Sequence, residues 1–74
     1  MSRVPRITGS DLVEALAKAG FAVIRVKGSH RFLRNEDGRT TVAPAHSGET
    51  IGPGLLQKIL RDCQLKVEDL RRLL

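Results

Sequence analysis

A chain of 74 residues with a formal charge of +5 and a sequence pI of about 10.4 has room for one domain, residues 1–74, and is strongly basic. Hydrophobic residues make up 41% and charged residues 28%, which excludes a disordered polyampholyte and fits a folded domain. Cys63 is the only cysteine, so no internal disulfide can form, and no Cys/His pattern has zinc-site spacing.

The first expected element is a helix. Thr8 is a good N-cap, with Asp11 three residues on, close to a capping box. Leu12, Val13, Leu16 and Ala17 follow at helical spacing and predict one apolar stripe. Gly20 suits the left-handed position that ends a helix.

Phe21 to Lys27 is rich in β-branched residues and predicts a strand. Strict alternation would put Ala22, Ile24 and Val26 on one side and Val23, Arg25 and Lys27 on the other. Gly28-Ser29 reads as a two-residue hairpin turn, glycine first as a type II′ turn requires. His30 to Arg34 returns as a second strand, and Asn35-Glu36-Asp37-Gly38 is a second turn. Thr40 to Ala43 is a third short strand, stopped by Pro44.

After a loop over His46 to Thr50, Gly52 and Pro53 open a second helix, with proline at its first position. Leu55, Leu56, Ile59, Leu60 and Cys63 form its expected apolar face. A short last helix is expected from Val67 to Leu74. The order α-β-β-β-α, with a small helical tail, predicts an α+β fold: a three-stranded antiparallel sheet with two helices on one face. Double-stranded-RNA-binding domains share this order.

No apolar run approaches the roughly 20 residues that span a bilayer. Met1 to Arg6 lacks a signal-peptide pattern, so a soluble cytoplasmic protein without a membrane partner is expected. A small basic domain fits a polyanionic partner, because phosphate contacts release counterions. Arg25, Lys27, Arg31, Arg34 and Arg39 crowd the sheet region against Glu36 and Asp37. Tryptophan and tyrosine are absent, which disfavours base stacking and favours recognition of shape and backbone.

His30 is the sharpest candidate for chemistry. It follows a tight turn between Lys27 and Arg31, and histidine takes and gives protons near neutral pH. RNA carries its own nucleophile, the 2′-OH. A ribonuclease therefore needs a base or acid plus cations that stabilise developing charge. His46 could contact a phosphate, assist catalysis or hold its loop. Ser29 has no acidic partner for a Ser-His-Asp arrangement and reads as a turn residue or phosphate contact. The scattered carboxylates suggest no metal-dependent nuclease site. A non-catalytic double-stranded-RNA-binding module is the alternative. A DNA-binding regulator fits poorly, since the second helix offers only Lys58 and Arg61 as cations.

Several segments, in order and spacing, resemble the HicA (YcfA-like) toxins, the mRNA interferases of HicA–HicB toxin–antitoxin systems. They are Ala19-Gly20-Phe21, Lys27-Gly28-Ser29-His30-Arg31-Phe32, Asp37-Gly38-Arg39, Val42 to Gly48, and Ile51 to Leu60. The resemblance implies a double-stranded-RNA-binding-like fold and metal-independent ribonuclease activity without a cofactor. It implies that His30 is catalytic, supported by Gly28 and Ser29. His46 matches the family's Pro-x-His segment, which does not by itself make it catalytic. Arg25, Lys27, Arg31, Arg34, Arg39 and His46 are the expected RNA contacts. The implied partners are messenger RNA and a HicB-type antitoxin that covers the active site. Arg31 departs from the histidine or other polar residue common after the signature, and the Arg3–Arg6 segment is slightly extended.

Overall fold

The computed structural model describes residues 4–74. Residues 1–3, including the start of the basic N-terminal segment, lie outside the described residues. The elements run α1 (Gly9–Lys18), β1 (Phe21–Lys27), β2 (His30–Asn35), β3 (Thr40–Pro44), α2 (Pro53–Cys63) and α3 (Val67–Leu73). The strands form one antiparallel meander in the order β1-β2-β3. The expected α+β architecture is therefore the observed one.

Local signals set most boundaries. The Thr8 hydroxyl accepts from the Asp11 backbone N–H at 3.1 Å, so one orphan donor at the start of α1 is satisfied. Gly20 ends the helix at φ +96°. The Asn35 side-chain amide donates to the Ala19 carbonyl at 3.1 Å and ties that end to β2. Pro53 occupies the first turn of α2, where its missing N–H leaves nothing unpaired.

The core lies between α1, α2 and one face of the sheet. Leu12, Leu16, Leu33, Leu56, Ile59, Cys63 and Leu70 are its largest fully enclosed side chains. Thr41 and Ala43 of β3 are buried on the same sheet face as Leu33. Burial and the neighbouring Asp62 carboxylate push the Cys63 thiol up to about 11, so Cys63 is a small core residue rather than a nucleophile.

Three expected faces are corrected. In α1 the buried side comprises Gly9, Leu12, Ala15 and Leu16, while Val13 is half-buried and Ala17 is exposed. The helix is rotated so that Gly9 and Ala15, rather than Val13 and Ala17, join Leu12 and Leu16 on the buried side. A Cβ built on Gly9 would stand 1.8 Å from the Pro44 carbonyl oxygen, so only glycine permits this approach. In α2, Leu55 is left exposed.

The third correction concerns β1. Val23 pairs with Leu33 but Arg25 pairs with Phe32, which makes Ile24 the extra residue of a β-bulge. The bulge breaks strict alternation. Ala22 joins Arg25 and Lys27 on the helix-free face, and Val26 shares the opposite face with Val23. Val23, Ile24 and Val26 all remain exposed along this edge strand.

Candidate functional site

The turn before β2 is built from Gly28 and Ser29, between the paired residues Lys27 and His30. Gly28 has φ +59°, and among the described residues Gln64 is the only non-glycine at positive φ. This agrees with a type II′ turn. A Cβ on Gly28 would meet nothing within 4 Å, so glycine serves the backbone conformation here, not packing.

Three contacts hold the turn. The Arg31 guanidinium donates to the Gly28 carbonyl at 3.1 Å. The Ala45 backbone N–H donates to the Ser29 carbonyl at 2.7 Å. The Ser29 hydroxyl and His46 Nε2 are hydrogen-bonded at 3.0 Å. Antiparallel pairing explains the last two. His30 stands opposite Pro44, so the chain leaving β3 runs back past Ser29.

His30 begins β2 and is exposed. Lys27 is its cross-strand partner on one side and Pro44 on the other. Directly opposed residues in an antiparallel pair have Cβ atoms about 4.5–5.5 Å apart. The helix-free face thus carries Ala22, Arg25 and Lys27 from β1, His30, Phe32 and Arg34 from β2, and Thr40, Val42 and Pro44 from β3. No strand contains an aspartate or glutamate. Arg25, Lys27 and Arg34 pair with no carboxylate among the described residues. The Arg25 guanidinium lies over the Phe32 ring, 5.7 Å from its centroid. The result is a cationic surface with one imidazole at its turn end.

Not every expected contact residue joins this face. Arg31 projects from the opposite side of β2, in register with Val26 and Ala43, and its guanidinium serves the turn. Arg39 is further removed. Its guanidinium pairs with Asp37 at 2.8 Å, donates to the Cys63 carbonyl and sits 5.0 Å from the Phe21 ring centroid. This pairing holds the Asp37 carboxyl below its usual range. Arg39 therefore clamps the β2–β3 turn to the end of α2. The hydrogen bond between Ser29 and His46 joins residues too far apart in sequence for spacing to reveal. Recognising that β3 returns His46 to the turn would have exposed it.

Among the described residues, no three His, Cys, Asp or Glu side chains cluster as a metal site. No described helix is long and apolar enough to cross a membrane. A family model described as the HicA toxin of bacterial toxin–antitoxin matches residues 9–65. That span begins with α1, takes in all three strands and passes the end of α2. No curated protein matches the chain.

Proposed function

This chain belongs to the HicA toxin family, and from that premise we propose that it is a metal-independent endoribonuclease of messenger RNA, acting in the cytoplasm as one domain and using His30 as its catalytic base. The observation that carries this reading is an exposed imidazole on a fixed turn, at the end of a carboxylate-free cationic sheet face.

The chemistry follows from the substrate. His30 takes the proton of a ribose 2′-OH, and the oxygen attacks the adjacent phosphorus. Negative charge grows on the phosphoryl oxygens as the P–O5′ bond breaks. Lys27, directly opposite His30, stabilises that charge, and its cost of reorganisation is small because the strand pairing already places it there. Arg25 and Arg34 hold flanking phosphates. Gly28 and Ser29 fix the direction from which His30 approaches.

The partner of this toxin is an antitoxin, here a HicB-type protein that covers His30 and the cationic face. Induced expression in bacterial cells is expected to stop growth and deplete messenger RNA, and co-expression of the HicB-type antitoxin should restore both. Unimpaired growth with intact messenger RNA would overturn the toxin-ribonuclease assignment.

Binding has its own test. Arg25→Glu with Lys27→Glu reverses two charges on the face that meets phosphate. Affinity for RNA should fall at least about tenfold at moderate salt, and each lost phosphate contact should flatten the slope of log K against log salt by about 1. Fluorescence anisotropy over a salt series reads both. An unchanged slope would place the RNA elsewhere on the molecule.

A further inference from the structure

We propose that His46 is the second proton-transfer group of this site, the general acid that protonates the leaving 5′-oxygen, an assignment that rests on the ribonuclease reading above. Breaking a P–O5′ bond leaves an alkoxide. An acid placed on the far side of the phosphorus from the base stabilises that alkoxide and contributes about 10²–10⁴-fold. The chain holds two histidines, and the fold brings both to the same turn. His30 follows Ser29 in sequence, and the His46 ring is hydrogen-bonded to the Ser29 hydroxyl at 3.0 Å. Both imidazoles are exposed.

The contact suits an acid. A hydroxyl oxygen accepts a proton donor as readily as it donates, so Ser29 Oγ can accept from Nε2–H of an imidazolium. Nδ1–H of the same ring is then free to face a substrate oxygen. The Ala45 N–H to Ser29 carbonyl bond fixes the backbone just before His46, and the Ser29 hydroxyl holds the ring. Among the described residues no carboxylate pairs with His46, and the strands contain neither aspartate nor glutamate. The step balances. His30 gains the 2′-OH proton, the 2′-oxygen bonds to phosphorus, the P–O5′ bond breaks, and His46 gives a proton to the 5′-oxygen. The products are a 2′,3′-cyclic phosphate and a 5′-hydroxyl.

The test separates proton donation from structural support. Two oligonucleotides share one ribonucleotide at the cleavage site mapped with the wild-type protein. One has the ordinary 5′-oxygen, and the other has sulfur bridging phosphorus and the 5′-carbon. Thiolate leaves without protonation, so the second substrate needs no acid. His46→Ala and His46→Gln should each cut the oxygen substrate about 10²-fold or more slowly, and cut the sulfur substrate within a few-fold of wild type. Glutamine can keep a hydrogen bond to Ser29 but cannot donate an acidic proton. Near-wild-type cleavage of the oxygen substrate by His46→Gln would overturn the proposal, leaving His46 a positioning residue. Equal losses on both substrates would overturn it as well. His30→Ala should fail on both. A wild-type protein that cuts no RNA at the mapping step would sink the ribonuclease reading itself, a distinct result from failure of the His46 variants alone.

Discussion

His30→Ala is expected to lower the rate of RNA cleavage by about 10²–10⁴-fold while leaving the fold and RNA binding nearly unchanged. The side chain is exposed and has no hydrogen-bond partner among the described residues, so its removal breaks no structural contact. Surface substitutions of this kind shift stability by no more than about 0.5 kcal/mol. The cations Arg25, Lys27 and Arg34 remain, and they dominate the affinity for a polyanion. Thermal unfolding, RNA affinity and single-turnover cleavage should therefore separate cleanly in this variant. Cleavage at the wild-type rate would remove His30 from the chemistry. A large loss of affinity would instead mean that His30 acts as a binding residue.

Gly9→Ala carries the second large effect, and it acts through the backbone. The added Cβ would lie 1.8 Å from the Pro44 carbonyl oxygen and 2.8 Å from both the Pro44 carbonyl carbon and the Ala45 Cα. All three are backbone atoms, so no rotamer change relieves the clash. Either α1 or the Pro44–Ala45 segment must move. Overpacking of this kind costs about 1–3 kcal/mol, and more where backbone resists. A domain of this size loses roughly 4–8 °C in Tm for each kcal/mol. The displacement also reaches the site. Pro44 is the cross-strand partner of His30, and Ala45 holds the Ser29 carbonyl. Protein that still folds should cut RNA more slowly. Circular dichroism melting checks the first effect, and an unchanged Tm would contradict the close contact of α1 with β3.

Gly9 also marks where sequence reading stopped. The Thr8 cap, the Gly20 terminus, the Gly28-Ser29 turn and the Pro53 start are local devices, readable from a few neighbouring residues. The need for glycine at position 9 comes from Pro44, which only the folded chain brings near. The bulge at Ile24 has the same character. Alternation along Phe21 to Lys27 predicts two clean faces, but the register with β2 inserts one residue, so that Ala22 and Val23 exchange sides relative to Arg25, Val26 and Lys27. Arg25 and Lys27 stayed together only because both follow the bulge.

The candidate site was partly legible for a similar reason. His30 stands out because turn, imidazole and cations lie within a few residues of one another. The separation of Arg31 and Arg39 from the cationic face was hidden. Arg31 lies one residue off the phase of the exposed face, and the clamp on Arg39 involves Cys63 and Phe21, both remote in sequence. Charge counted along the chain therefore overstates the cations available to RNA, and three of the five in the sheet region share the face with His30.

On the proposed mechanism the chain itself, without a metal, cuts RNA from the 2′-OH. The most direct test incubates purified protein with messenger RNA in excess EDTA and analyses the new ends. Cleavage in EDTA is expected, with 2′,3′-cyclic phosphate and 5′-hydroxyl termini, and intact RNA when His30→Ala replaces the wild type. RNA that is bound but left uncut, with EDTA or with magnesium, would contradict that mechanism and leave a cationic RNA-binding module.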